Sequence, residues 1–148
     1  SFLLFNFPKA KIFLGDSGSY FLGALIALNT IKTYELNPQI SSFFFAGILF
    51  YLFYEVFFSF FRKMIKKKSP LHPDKFHLHM LLYHWISSLN KKKNSNYLTS
   101  LLINLSYLFL QIPLFYFQNN ALISRYWFFS LIILYTIIYF RLYSFSKK

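Results

Sequence analysis

The chain has 148 residues, of which 56% are apolar and only 14% charged, with 22 phenylalanines and no cysteine. A soluble domain carries roughly 25% charged residues and needs a polar surface that this composition does not supply. The absence of cysteine excludes disulfides, thiolate zinc sites and iron–sulfur centres, which leaves the net charge of +12 as the compositional feature to explain.

That charge is clustered, in "RKMIKKK" at 62–68 and "KKK" at 91–93, which lie in a polar gap between apolar runs, and in "KK" at 147–148, which follows the last apolar run. Such a layout suits the cytoplasmic loops of a membrane protein better than a groove tracking a phosphate backbone, so no nucleic-acid partner is expected. The fold class that follows is all-α: a polytopic transmembrane helical bundle of about four spans with an amphipathic cytoplasmic loop helix. No signal peptide is evident ahead of the first polar text, and the abrupt start beside that text is expected to mark a portion of a longer protein.

In chain order the first polar stretch is "GDSGS" at 15–19, where Asp16, one of only four acidic residues, stands among glycines and serines. Its carboxylate is unshielded, and glycine permits turns that larger residues resist. Such an Asp can ligate magnesium together with substrate phosphates. Ser17 or Ser19 can cap a helix starting there, whose free amides suit a phosphate. A second reading makes Asp16 only the N-cap of the span that follows, and the residues leave both open. That span, about 18–34, is interrupted by Asn29 and by Lys32, which can snorkel from a helix end.

The connection "YELNPQI" at 34–40 has no Lys or Arg, and residues 40–61 then form an apolar run broken only by Glu55. Glu55 precedes Arg62 by seven residues, about 10 Å of helix. An ionisable group at that depth rarely faces lipid, and Glu55 is expected to hold a basic residue of the following loop rather than to touch substrate.

The cytoplasmic loop, 62–96, contains "SPLHPDKFHLHMLLYHWI" at 69–86, with His72, His77, His79 and His84. Pro73 suits a first helical turn, Asp74 its positive end, and the rest can continue as an amphipathic helix along the interface. On such a helix His77 and His79 point roughly 200° apart. One ligand then meets both only if the segment is unwound there or the ligand wraps it. The histidine spacing matches no familiar zinc motif. Imidazoles beside Lys75 suit phosphate or sugar oxygens, and a plain interfacial helix is the alternative. Spans 98–117, where Pro113 is expected to introduce a kink, and 122–143 follow, joined by the uncharged "FQNNAL". Basic and charge-poor connections alternate along the chain. That alternation assigns GDSGS, the 62–96 loop and the C-terminus to one cytoplasmic face.

Taken together, "FNFPKAKIFLGDSGSYFLG", a return span ending in "YEVFFSFFRK", and "KSPLHPDKFHLHMLL" resemble the polyprenyl-phosphate N-acetylhexosamine-1-phosphate transferases, the MraY/WecA-like glycosyltransferase family 4. The resemblance covers about residues 5–85, and the last two spans fit by topology alone. GDSGS by itself is a weak signal; its pairing with PDKFHLH on one membrane face carries the likeness. The resemblance implies that residues 1–148 are one domain portion, the C-terminal part of a multi-span enzyme of the bacterial inner membrane. Such enzymes, of the EC 2.7.8 type, move a sugar-1-phosphate from a UDP-N-acetylhexosamine onto undecaprenyl phosphate and release UMP. This is the first membrane step of a cell-surface polysaccharide or glycan pathway, with Mg2+, or Mn2+ in its place, as cofactor.

By the same resemblance Asp16 is the catalytic, metal-binding carboxylate, with Gly15, Ser17 and Gly18 shaping its turn against substrate. Asp74, Lys75, His77 and His79 fall on the nucleotide sugar. Met80 stands where the family's motif commonly has a last histidine, and Glu55 where relatives often have Asp. The implied partners are membrane lipids, an N-terminal half carrying an acidic pair without counterpart in 1–148, and a second copy in a homodimer. Residues 1–148 alone are expected to be inactive. The HPDKFHLH text is closer to the WecA branch than to the muramyl-pentapeptide branch. A non-catalytic scaffold or transporter subunit, binding anionic lipid through its basic loop, is the alternative. It explains the charge but not the pairing of GDSGS with HLH.

Overall fold

The computed structural model describes residues 5–6, 11–67, 69, 72, 74–89 and 94–146. The chain divides into two compact units, Ser1–Ile40 and Ser41–Lys148.

The first unit is built on α1 (Gly15–Leu36), none of whose residues is buried. The polar residues that interrupt its apolar text turn inward on their own helix: Asn29 Nδ2 donates to the Leu25 carbonyl at 2.7 Å and Thr30 Oγ1 to that of Ile26 at 2.8 Å. Bonding one turn back satisfies these groups without an outside partner. The helix covers the expected 18–34 span, but it is not among the described helices long and apolar enough to cross a membrane.

The second unit contains α2 (Ser42–Ile48), α3 (Phe50–Ile65), α4 (Leu78–Leu89), α5 (Ser95–Tyr116) and α6 (Ala121–Phe145). Helices α5 and α6 are long and apolar enough to cross a membrane, and α2 with α3 makes a third if the pair is one broken span. The described residues thus carry two or three such spans by length and composition, against an expectation of about four. The 40–61 run, expected as one helix, bends by 71° at Leu49. No proline causes the break. Instead α5 satisfies carbonyls there: Tyr107 Oη donates to Ile48 O, and Gln111 Nε2 to Gly47 O at 3.4 Å. A bent backbone inside a bilayer persists only where protein supplies such partners. The approach is close because residue 47 is glycine; a Cβ there would lie 2.5 Å from Leu114 Cδ1.

Helix α5 runs through Pro113 to Tyr116. Asn120 then caps α6, its Oδ1 accepting from the amides of Leu122 and Ile123, both at 3.1 Å. The core is largely aromatic. Phe50, Leu81, Leu131, Tyr135 and Tyr139 form its buried centre. Along α6 the rings of Tyr135, Tyr139 and Tyr143 stack at four-residue spacing, with interplanar angles of 12° and 13°. Phe58 of α3 packs edge-on against Tyr139 at 4.6 Å between centroids. This places one face of α3, bearing Glu55 and Arg62, against α6 and beneath the start of α4.

Candidate functional site

In the first unit Gly15 opens α1 with a left-handed φ of +70°. Leu14, at the cap position, offers no side-chain bond, and Ser19 Oγ donates back to Gly15 O at 2.8 Å. None of Asp16, Ser17 and Ser19 caps the helix, which corrects both capping readings of the motif. Asp16 sits instead in the first turn, exposed, where the positive helix end favours its charge. Asn6 braces the approach to this turn: its Oδ1 accepts from the amides of Lys11 at 2.8 Å and Ile12 at 3.0 Å, and its Nδ2 donates to Ile12 O at 2.9 Å. Nothing in the sequence pattern marked Asn6 for this role.

Among the described residues the Asp16 carboxylate has no hydrogen-bond or ion-pair partner. No group of three His, Cys, Asp or Glu side chains among the described residues converges to hold a metal. One free hard-oxygen ligand fits magnesium, which binds through one or two carboxylates with phosphates and waters; it does not fit a protein-saturated zinc site.

In the second unit His72, Asp74, Phe76 and His77 are each held by a side chain of α3 or α6. Lys63 Nζ donates to His72 O at 2.7 Å, and Tyr139 Oη to Phe76 O at 3.1 Å. Arg62 Nη2 pairs with Asp74 at 2.9 Å, and Asp74 Oδ1 accepts the Phe76 amide at 3.1 Å. Partial burial alone would raise the Asp74 carboxyl, but the Phe76 amide and the Arg62 guanidinium prevail and hold it below the usual range. Asp74 is therefore an anchor of the loop. It lies four residues ahead of α4 and not at that helix's positive end, contrary to the sequence expectation; Pro73 lies outside the described residues. Lys75 is exposed beside it.

The helix starts only at Leu78, and the carbonyl of His77 accepts the Leu81 amide at 3.0 Å. His77 is thus outside the helix, and the expected 200° separation from His79 does not arise. The two imidazoles lie side by side, 5.7 Å between centroids and 17° from parallel. Behind them Glu55 gathers three donors. Its Oε1 stands 3.0 Å from His77 Nδ1 and accepts the Leu78 amide at 3.1 Å, while Tyr135 Oη donates to Oε2. Glu55 holds a histidine of the loop, as its depth in the helix suggested. His77 Nε2 is 3.7 Å from Asp74 Oδ1. His79 is exposed, but desolvation by the protein on one side of its ring, with the neighbouring His77, lowers its affinity for a proton; Glu55 offsets this only in part.

The histidines thus come together with Glu55 and Asp74 in the second unit, while Gly15, Asp16, Ser17 and Gly18 belong to the first. His72 and His84 take no part in the pair. An open cavity of about 350 Å³ borders it, walled by His79, Met80, Tyr83, Asn96, Ser100 and Asn104. Arg62, Tyr135 and Tyr139 were not singled out by the sequence as loop holders. The signal for Arg62 was the scarcity of acids, since Asp74 is the only one in the loop. The two tyrosines were masked by counting as span residues.

Residues 1–34 match the glycosyl transferase family 4 profile. Over 78 residues, 53% of this chain and 25% of the relative, the chain is 41% identical to an undecaprenyl-phosphate alpha-N-acetylglucosaminyl 1-phosphate transferase of Thermotoga maritima. It is 37% identical over 79 residues, 53% of this chain and 22% of the relative, to a probable undecaprenyl-phosphate N-acetylglucosaminyl 1-phosphate transferase of Bacillus subtilis. A phospho-N-acetylmuramoyl-pentapeptide-transferase of Leuconostoc mesenteroides is 67% identical over only 30 residues, 20% of this chain and 9% of the relative. No solved structure matches the chain. The matched stretch spans about a quarter of the length of the first two relatives. The family read from the sequence is thus the one the comparisons return: residues 1–34, which include GDSGS, match the glycosyl transferase family 4 profile, and the chain is similar to undecaprenyl-phosphate N-acetylglucosaminyl 1-phosphate transferases.

Proposed function

We propose that this chain contributes the metal-binding turn and the nucleotide-sugar loop of a bacterial inner-membrane transferase. The enzyme moves N-acetylhexosamine-1-phosphate from a UDP-sugar to undecaprenyl phosphate and releases UMP. The observation that carries the proposal is the paired His77 and His79 imidazoles, with His77 held by Glu55, in a chain whose GDSGS turn falls within the family match. N-acetylglucosamine is favoured as the donor sugar, because the two longer matches are to proteins named for it and the muramoyl-pentapeptide matches are short.

The reaction brings two anions together, and the chain's residues answer that problem. Asp16, exposed in the first turn of α1, would hold magnesium, with Gly15 leaving the backbone bare, Gly18 admitting the Leu14 side chain against the helix, and Ser17 beside it. The bound ion supplies screening of the diphosphate and of charge developing in the transition state. His77 and His79 offer ring nitrogens to phosphate or sugar oxygens, and exposed Lys75 adds positive field. Asp74 acts through Arg62 by keeping the loop folded. The acceptor phosphate is already largely anionic, so no base in this chain is needed to activate it. The acidic pair typical of the family is expected in the N-terminal half of the enzyme, and both site segments are expected to face the cytoplasm.

The test is UMP release by the full-length protein from UDP-N-acetylglucosamine with undecaprenyl phosphate across a magnesium titration. Asp16→Asn keeps the volume and polarity of the turn but removes the charge. A loss of about 3 kcal/mol of transition-state stabilisation is roughly a hundredfold in rate. Turnover should fall at least that far with normal membrane insertion. Near-wild-type turnover of Asp16→Asn at every magnesium concentration would remove the metal role.

A further inference from the structure

Glu55 is the one acid within the apolar run 40–61, and it is not simply shielded there: three donors from two segments, the 77–78 junction and α6, converge on it. They are the His77 ring, the Leu78 amide at the start of α4, and the Tyr135 hydroxyl of α6. Its side chain is only 13% exposed and that of His77 30%. A helix tie alone would need one oxygen, the one on Leu78. The second oxygen is fixed by Tyr135, which sets the rotation of the carboxylate and so the direction in which Oε1 accepts from the ring. A carboxylate that takes Nδ1–H dictates the tautomer and the plane of an imidazole, because only one nitrogen is then left to meet anything else. That nitrogen, His77 Nε2, lies 3.7 Å from Asp74 Oδ1, beyond a direct hydrogen bond, and Asp74 is itself engaged by Arg62 and Phe76.

We infer that Glu55, oriented by Tyr135, is a positioning residue for the transfer reaction: it commits His77 Nδ1 as donor and thereby presents His77 Nε2 as an acceptor to a hydroxyl group of the nucleotide sugar. The inference rests on the transferase reading for its substrate, but the clamp itself is a property of the fold. Through the Leu78 amide the same carboxylate also sets where α4 begins. That is why His77 stays outside the helix and can stack on His79. Loop register and ring orientation are thereby coupled to one membrane-depth acid.

Two measurements on the full-length protein in membranes test this. The first is the 15N spectrum of histidine-labelled protein, where wild-type His77 should carry its proton on Nδ1. Glu55→Gln keeps an oxygen for the Leu78 amide but loses the charge, so the His77 signals should shift while those of His72 and His84 stay in place. The second is a kinetic cycle. Glu55→Gln should lower kcat/KM by about 10–100-fold, the usual cost of removing a partner that orients a histidine. In a His77→Ala background the same change should cost less than about twofold, because its effect runs through the missing ring. Tyr135→Phe leaves the carboxylate and the helix tie intact, and should move both readouts in the same direction by a smaller amount.

Equal kinetic losses with and without His77, or unmoved His77 signals in Glu55→Gln, would overturn the proposal and leave Glu55 as a tie between helices. Wild-type protein that transfers no sugar phosphate defeats the transferase reading instead; the nitrogen spectra still decide the clamp.

Discussion

Gly15 holds a φ of +70° with open space where a Cβ would stand, so any substitution there is opposed by backbone conformation alone. Gly15→Ala should destabilise the start of α1 by about 1–2 kcal/mol, seen as faster amide exchange at residues 15–19, and Gly15→Asn should cost less because Asn tolerates the left-handed region. The loop's titrating residues act in separate pH windows. Asp74 is held below its ordinary range, so its contribution is complete above about pH 4, the unfolded value, and is lost only as pH falls through the folded value beneath that. His79 is also held below its ordinary range. The unfolded loop therefore takes up that proton first, and stability present above about pH 6.5 is lost as pH falls toward the folded value. Between pH 7 and 5 only His79 of these two acts. Amide exchange across 77–89, corrected for intrinsic rates, should speed up over that interval in the wild type and flatten in His79→Gln. An unchanged slope in the variant would remove His79 from the loop's pH response.

At the scale of elements, what hydropathy encodes was legible and what tertiary hydrogen bonds decide was not. The run 122–143 is continuous and follows Asn120, a good capping residue, and α6 occupies Ala121–Phe145. The run 98–117 likewise became Ser95–Tyr116. The run 40–61 reads as one helix because a break at Leu49 leaves no trace in apolar content; its cause is Tyr107 and Gln111 on another helix. Pro73 and Asp74 read as a helix start, yet Asp74 turns to Arg62, twelve residues back, and Glu55 takes the Leu78 amide in its place. In the candidate site the motif letters were legible, while the holders behind them, Arg62 and Tyr135, depend on packing between α3, the loop and α6. The bend offers a direct check. Tyr107→Phe keeps the ring and removes the donor to Ile48, which should cost about 1–3 kcal/mol of stability for a carbonyl left unpaired in an apolar setting. Thermal unfolding in detergent measures it. Gly47→Ala should also destabilise, by about 1–3 kcal/mol, because the added methyl meets buried Leu114.

For the whole molecule the decisive quantity is the side of the membrane on which each connection lies, and here charge argues where hydropathy cannot. Lys and Arg crowd the 62–68 and 91–93 segments, whereas the 34–40 connection has neither. The positive-inside rule therefore predicts that the 62–96 loop lies in the cytoplasm and 34–40 on the opposite side. The GDSGS turn should share the cytoplasmic side, where a UDP-sugar and magnesium are supplied. The chain has no cysteine, so single thiols can be placed at Ser17, Asn37 and Ser88 without clearing a background. An impermeant thiol reagent added to intact cells should label Asn37→Cys at once, and Ser17→Cys and Ser88→Cys only after the membrane is opened. The reverse order would put the histidine pair and Asp16 on the wrong face for a cytoplasmic nucleotide sugar. Labelling of Ser17→Cys alone in intact cells would separate the two site segments across the membrane, and no single substrate could then reach both.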